Sequence, residues 1–132
     1  MMKIKTRLAI LLLVMAMPAQ AQYTIDEVAA GLDFPWSVAF LPNGDYLVAE
    51  RGGRLLRLAG KERIEIRGVP DTYVSGQGGF FDIVLDPAFG DNRHIYPSYA
   101  EGKKRANRTA VYRGRHDADS IVNGEVILRV EP

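Results

Sequence analysis

Short runs of alternating or wholly apolar residues, separated by Gly, Pro, Asn and Asp, follow one another from Pro35 to the end of the chain. Runs bounded by such residues are typical of short β-strands joined by tight turns. The first run, Trp36–Leu41, ends at the turn 42–45 (PNGD), and the chain returns in a second run, Tyr46–Glu50. The Asn-Gly pair of this turn tolerates positive φ, as a hairpin requires. No segment of this part of the chain predicts a helix.

The runs predict eight strands in two groups of four. The first group is Trp36–Leu41, Tyr46–Glu50, Arg54–Leu58 and Ile64–Arg67, and the second is Phe81–Leu85, Ile95–Tyr99, Thr109–Arg113 and Val126–Val130. Pro42 and Pro87 follow the first strand of each group, 45 residues apart, and one propeller blade takes roughly 40–50 residues. This repeat predicts an all-β fold, a β-propeller of four-stranded antiparallel blades with about two blades present. An immunoglobulin-type sandwich of about 100 residues would also contain seven or more strands.

The N-terminal residues predict a secretory signal peptide over 1–21. Cations within residues 3–7 precede an apolar run, Leu8–Met17, and Ala19-Gln20-Ala21 is a small-x-small cleavage site. The run is shorter than the roughly 20 residues that span a membrane, and no cysteine follows it to carry a lipid. We therefore expect cleavage near Ala21 and a periplasmic or secreted protein without a membrane anchor.

Charge and cysteine content limit the partners and the means of stabilisation. Removal of residues 1–21 would change the formal net charge from +1 to −2, so nucleic acid is not an expected partner. The chain has no cysteine, so an exported domain of this size would be held together by core burial without disulfides.

Several standard sites are disfavoured by the sequence. His94 and His116 are the only histidines, too few for a transition-metal site without cysteine. Asp117-Ala118-Asp119 departs from a calcium loop at Ile121 and is interpreted as a solvated turn. The glycine-rich segment 76–81 lacks the last glycine and the helix of a dinucleotide-binding loop, and no Gly-x-Ser-x-Gly elbow occurs. We assign no catalytic residue and no metal ligand.

The loop Ser75-Gly76-Gln77-Gly78-Gly79 is the remaining candidate. Its glycines free the backbone for close approach, and the amide of Gln77 can both donate and accept hydrogen bonds. The residues alone leave two interpretations open, a glycine-rich turn between blades and a binding loop. Trp36 is interpreted as core between blades, and Arg51 and Arg54 as cations that solvate a hairpin.

Four segments, in order and spacing, resemble the opening blades of the soluble PQQ-dependent aldose (glucose/sorbosone) dehydrogenases. They are 31–44 (GLDFPWSVAFLPNG), 48–54 (VAERGGR), 76–79 (GQGG) and 84–89 (VLDPAF). The resemblance covers nearly all of residues 32–132. It implies a six-bladed propeller and an exported quinoprotein oxidoreductase that oxidises aldose sugars at C1 to lactones. Hydride passes to PQQ, calcium helps to hold the quinone, and a histidine is the general base.

The resemblance also implies roles for individual residues. Gln77 matches the family's glutamine that reaches the sugar, and Gly76 and Gly78 match the glycines beside the cofactor. Neither His94 nor His116, which is interpreted as part of a polar turn, matches the segment that carries the catalytic histidine. Most ligands of PQQ and calcium would also follow later in the family's sequence.

Two departures from the family's pattern lead to further expectations. Pro97 falls inside a predicted ladder strand, where proline is tolerated mainly at edges or bulges, and the sequence stops at Pro132. We expect a first blade over about 22–70, a second over about 71–132, and a truncated chain that is inactive alone. The alternative is a non-catalytic exported binding or scaffold module that self-associates through exposed blade faces.

Overall fold

The computed structural model describes residues 22–131, which form two four-stranded antiparallel sheets. The first sheet contains β1 (Pro35–Phe40), β2 (Tyr46–Glu50), β3 (Leu55–Ala59) and β4 (Glu62–Glu65) in chain order. The second contains β5 (Phe80–Leu85), β6 (His94–Lys103), β7 (Ala106–Asp117) and β8 (Ser120–Arg129) in the same order. One helical turn, α1 (Phe89–Asn92), precedes β6. The predicted signal peptide lies outside the described residues.

The Asn-Gly turn between β1 and β2 is confirmed. Leu41 N donates to Asp45 O at 2.9 Å, and Gly44 N donates to Leu41 O at 3.0 Å. Gly44 has a φ of 90°, and Asn43 accepts a hydrogen bond from Asp45 N through its side-chain oxygen at 3.2 Å. The turn residues therefore supply both the positive φ and the local side-chain acceptor that a tight turn needs.

The last three strands are longer than the predicted runs, and β6 has 10 residues where five were predicted. β7 and β8 contain 12 and 10 residues, whereas the sequence predicts five in each. Two register shifts interrupt their pairing, between Val111 and Tyr112 and between Arg113 and Arg115. Each shift moves the alternation of buried and exposed positions by one residue. The full length of the strand therefore does not show a period of two in the sequence.

Pro97 lies within the interior strand β6. The pairing of β6 with β7 includes His94 and Ile95, stops at Tyr96 and Pro97, and resumes in the same register at Ser98. The expected loss of ladder pairing at the proline is therefore found, but it is local. On the other side Pro97 faces Ile83 of β5 in register, and its side chain is fully buried, so the proline contributes to packing.

The main core lies between the two sheets. It combines Leu47 and Leu55 of the first sheet with Ile83, Ile95 and Ala110 of the second. Ile83 is 3% exposed, and the other four residues are 0% exposed. Because each sheet buries one apolar face against the other, neither sheet is packed without its neighbour.

The opposite face of the first sheet is covered only in part. Val48, Leu56 and Leu58 are buried there under Ala29 and Leu32 of the N-terminal segment. The same face exposes three large side chains: Trp36, Val38 and Phe40. Trp36 was expected in the core between blades. Its ring centroid lies 6.4 Å from that of Phe81 of the second sheet, but 48% of the residue is exposed. Trp36 therefore contacts the neighbouring sheet at its edge and is only half buried.

The strand directions give the sheets two ends. The turns β2–β3 and β6–β7 and the connection β4–β5 lie at one end, which we call the Gln77 end. The turns β1–β2, β5–β6 and β7–β8 lie at the other, the His116 end. The part of the chain that the structure describes contains no helix long and apolar enough to cross a membrane.

Candidate functional site

The loop that carries Gln77 is a tight two-residue turn. Ser75 and Gly78 exchange backbone hydrogen bonds of 3.2 and 2.8 Å, which leaves Gly76 and Gln77 at the tip. Gly76 has a φ of 56°, and positive φ at the first central residue alone is the pattern of a type II′ turn. The glycine at 76 is thus required by the turn itself, and the turn presents Gln77 as an exposed side chain.

Backbone hydrogen bonds fix this turn to both sheets. Phe80 N donates to Arg51 O at 2.9 Å, Ala100 N donates to Gly79 O at 2.8 Å, and Tyr73 N donates to Ala100 O at 2.8 Å. A Cβ placed on Gly79 would overlap the carbonyl and the Cγ of Arg51. Gly79 therefore permits the close approach of the loop to β2, and Gln77 stands on a backbone anchored at both ends.

Arg51 contacts the same turn from the first sheet. Its Nη1 donates to Gly76 O at 3.1 Å, and its guanidinium carbon lies 4.4 Å from the centroid of the Phe34 ring. Stacking of arginine on an aromatic face is favourable. The interpretation of Arg51 as a solvating cation was wrong, because Arg51 joins the glycine-rich loop to the first sheet.

Glu50 and Arg54 form the base of the β2–β3 turn. Glu50 is 0% exposed, accepts a hydrogen bond from Asp33 N at 2.7 Å, and pairs with Arg54 at 2.5 Å. A buried carboxylate is stable only with such partners. Arg54 was also interpreted as a solvating cation, and that was wrong: it neutralises Glu50 and so supports the turn next to Arg51.

Further charges lie at this end of the second sheet. Lys103, Lys104 and Arg105 are exposed around the β6–β7 turn. Glu101 accepts hydrogen bonds from Arg129 at 2.7 and 2.9 Å, and these bonds hold the pKa of Glu101 below its usual value. Glu101, two residues before Lys103, is therefore ionised and already paired.

The two histidines lie at the opposite end of the molecule. His94 begins β6, six residues before Ala100, which contacts the glycine-rich loop. At about 3.3 Å per strand residue, this separation is about 20 Å. His116 N donates to Arg93 O at 2.8 Å, which places it near the start of the same strand. His116 was expected in a polar turn; instead it is 3% exposed, within β7.

The residues at the Gln77 end fit part of a site for a polar, anionic ligand. The exposed amide of Gln77 can bind hydroxyl or carbonyl groups, and the cations at the same end of the sheets suit carboxylates such as those of PQQ. Residues 22–131 contain no group of three or more His, Asp or Glu side chains that could hold a metal ion. Contacts of Gly76 and Gly78 with a cofactor stay a prediction, since the turn geometry alone accounts for Gly76.

The sequence predicted the turn at Gln77 but not the contacts of Arg51 and Glu50 that hold the neighbouring backbone in place. Arg51 and Glu50 act through contacts with residues 25 and 17 positions away, which no local pattern reveals. The one available signal was the sequence Glu50-Arg51-Gly52-Gly53-Arg54, in which an acid directly follows an apolar run and would be buried if the strand continued.

The two antiparallel four-stranded sheets pack face to face, and the last strand of the first sheet, β4, leads to the first strand of the second, β5. This arrangement defines a pair of β-propeller blades. The chain matches the Glucose / Sorbosone dehydrogenase family model over residues 32–132, and it belongs to this family. The predicted fold class and the resemblance are both confirmed, and the sandwich alternative is wrong.

Individual relatives agree with this assignment. The chain is 38% identical over 120 residues to aldose sugar dehydrogenase YliI of Escherichia coli, which covers 86% of this chain and 32% of the relative. A solved glucose dehydrogenase superposes with a TM-score of 0.78 at 36% identity, over 83% of this chain and 36% of that one. The PQQ-bound aldose sugar dehydrogenase of Streptomyces coelicolor gives a TM-score of 0.72 at 28% identity, over 89% and 36%. The chain thus spans about a third of the length of these proteins.

Proposed function

We propose that this chain forms the first two blades of a PQQ-dependent aldose dehydrogenase and that Gln77 binds the sugar. The observation that carries this proposal is the exposed amide of Gln77 on a turn anchored to both sheets. On a fixed backbone, only the side chain loses conformational freedom when the residue engages a ligand. An exposed glutamine on a free loop would not have this advantage.

The proposed reaction is oxidation of an aldose at C1 to a lactone. PQQ, when bound with calcium, supplies the two-electron acceptor for the hydride that leaves C1. In this chain, the amide of Gln77 donates to or accepts from sugar hydroxyls and so orients the ring. Gly76 and Gly78 keep side chains away from both sides of Gln77, which leaves room for a flat cofactor beside it.

We further propose that these residues do not oxidise sugar by themselves. The reaction needs a base to take the hydroxyl proton, and both histidines are about 20 Å from the glycine-rich loop, as estimated above from strand length. The expected result is no sugar-dependent dye reduction by the 132-residue chain with PQQ and calcium. Dye reduction above a no-sugar control would contradict it.

A binding experiment tests the role of Gln77 without turnover. The full chain is titrated with PQQ in the presence of calcium, followed by quinone absorbance, and glucose is then added. We expect saturable changes with both ligands, and a Gln77→Ala variant that binds glucose about tenfold more weakly, the effect of one lost hydrogen bond. Gln22→Ala removes an exposed amide far along the chain and is the matched control. Equal glucose binding by both variants would contradict the assignment.

The second candidate function is a non-catalytic module that associates with copies of itself. It is favoured by apolar side chains on the outer faces of both sheets: Trp36, Val38 and Phe40 on the first, Val84 and Leu128 on the second. Three copies of two blades would complete a six-bladed ring. Light scattering of the purified chain distinguishes a trimer from a monomer.

The remaining proposals concern organisation and location. We propose a blade boundary near residues 70 and 71, between the end of β4 at Glu65 and the start of β5 at Phe80. We also propose export to the periplasm or medium with cleavage near Ala21. N-terminal sequencing of the secreted protein tests this, and a product that begins at Met1 would contradict it.

A further inference from the structure

A cavity remote from Gln77 lies at the His116 end. It has a volume of about 350 Å³ and is lined by residues from both sheets, among them Asn43, Arg57, Phe89, Arg93 and His116. The turns β1–β2 and β5–β6 form its walls, and β3 and β7 contribute Arg57 and His116. Nothing in the proposed sugar oxidation uses this cavity.

His116 is the unusual residue of this cavity. The residue is 3% exposed, and neither ring nitrogen has a hydrogen-bond partner within residues 22–131. The ring packs near Phe89, with centroids 6.3 Å apart. Buried polar atoms are almost always paired with protein, water or ligand, so a buried imidazole with two free nitrogens indicates a missing partner.

Arg57 contributes a second buried donor without a partner. Its terminal nitrogens pair with Asp45 at 3.0 Å and with Asp119 at 2.7 Å, and the hydrogen bonds to Asp119 and Asp45 raise the pKa of the guanidinium. Its Nε is buried and has no partner among the described residues. Asp119 lies in the turn between β7 and β8, as the sequence predicted, and its half-exposed carboxylate also binds Arg57 across the two sheets.

Arg93 adds a cation at the rim. Its Nε donates to His116 O at 3.1 Å, and its backbone is held in the left-handed region at a φ of 58°. Within the described range 22–131, Arg93 forms no ion pair, unlike Arg57. The guanidinium is therefore tied to the cavity by one nitrogen while its charge has no counter-ion there.

We propose that this cavity binds a small oxyanion, a carboxylate or phosphate group, through Arg93, His116 and the Nε of Arg57. The terminal nitrogens of Arg93 form a planar donor fork that matches oxyanions. A ring N–H of His116 and the Nε–H of Arg57 are further donors that such a ligand would satisfy. Arg57 offsets one of the two carboxylate charges of Asp45 and Asp119, and the charge of Arg93 makes the four groups neutral as a set, so binding would rest on the hydrogen-bond donors. The cavity is large enough for a phosphate or a short dicarboxylate.

Nitrogen NMR of the two imidazoles tests this directly. The uniformly ¹⁵N-labelled full chain is titrated separately with inorganic phosphate, with succinate and with chloride at matched ionic strength. We expect the ring signals of His116 to move saturably with phosphate or succinate and not with chloride, while those of His94, outside the cavity, stay in place. The phosphate and succinate arms distinguish the two sources of an oxyanion.

Variants then assign the site. Arg93→Gln should weaken binding about tenfold or more, as expected for a lost charge-assisted hydrogen bond. Arg113→Gln removes the same charge from β7, where Arg113 pairs with Glu125 on the surface, and should change affinity by less than about twofold. The proposal is overturned if neither oxyanion gives a saturable His116 shift, if chloride gives the same shift, or if Arg93→Gln and Arg113→Gln bind alike. The His116 readout on the unsubstituted chain stays decisive even if a variant fails to fold.

Discussion

Gly79 lies where the loop that carries Gln77 contacts β2 and β6. Its carbonyl accepts from Ala100 N, and the next residue donates to Arg51 O. Replacement by alanine would place a methyl group against the backbone of Arg51. We expect Gly79→Ala to reduce the free energy of unfolding by about 1–3 kcal/mol, the usual cost of overpacking. Urea denaturation measures it.

The control for this prediction is Gly90→Ala in α1. A Cβ at Gly90 meets no atom within 4 Å, and its φ is not positive. The free energy of unfolding should change by less than about 1 kcal/mol. If Gly79→Ala is as mild as Gly90→Ala, the loop is not held close to Arg51 and the argument for a rigid Gln77 is lost.

His116 should make the stability of the protein depend on pH. Burial, then the charges of Arg93 and Arg57, lower the pKa of His116 below 6.5, and Asp117 and Asp119 oppose this only in part. As pH falls through 6.5, the unfolded chain binds a proton that the folded chain does not. The free energy of unfolding should therefore fall, by at most about 1.4 kcal/mol per pH unit for one proton, until the folded pKa is reached.

The variant His116→Phe should remove this slope, because phenylalanine does not titrate and packs beside Phe89. Urea denaturation at a series of pH values from about 5 to 7 measures it. His94→Gln is the control and should keep the slope. A slope that survives in His116→Phe would show that another group is responsible.

At the residue scale, the identities of adjacent residues predicted the turns correctly but did not predict which polar side chains are buried. The glycines and Asn43 were predicted correctly because a tight turn depends on adjacent residues only. His116 stands between Arg115 and Asp117, which indicates a surface turn, and its burial comes from Phe89 and Arg57, far away in the sequence. Such burial could not be predicted without the packing of one sheet on the other.

At the scale of the strands, β5 offers a direct test of which face is buried. Ile83 and Val84 are adjacent, but Ile83 is 3% exposed in the core between the sheets and Val84 is 52% exposed on the outer face. Ile83→Ala should reduce the free energy of unfolding by about 2–4 kcal/mol, since it leaves a cavity. Val84→Ala should cost less than about 1 kcal/mol. Thermal or urea denaturation of both variants measures the difference, and equal costs would contradict the packing of the two sheets.

The strands that the sequence predicted well are those with regular alternation. β2 was predicted with its observed bounds, Tyr46–Glu50, because its apolar residues end at a glycine turn. β4 begins two residues earlier than predicted, at Glu62, because Gly60, with a φ of 59°, closes a two-residue turn after β3. β7 and β8 were underestimated because their bulges break the alternation.

At the scale of the whole molecule, each sheet is covered by the other on one face only. The outer face of the first sheet shows 48% of Trp36, 48% of Val38 and 69% of Phe40. They border an open groove of about 570 Å³ that residues Glu27 to Ala29 also line. An apolar face of this kind usually lies against another surface. In a closed propeller that surface is a further blade, and in the isolated chain it would be a second copy.

Phe40 lets these alternatives be separated by experiment. If the isolated chain associates through this face, Phe40→Lys should lower its molar mass in light scattering toward that of the monomer, because a charge would replace an apolar contact. Tyr23→Lys is the matched control, since Tyr23 is 87% exposed and lies outside the sheets. Phe40 projects away from the core between the sheets and is 69% exposed, so its replacement should leave the circular dichroism unchanged and cost no more than about 1.5 kcal/mol, the worth of its ring contact with Tyr46. Equal molar masses for both variants and the unsubstituted chain would mean that copies of this chain do not meet at this face.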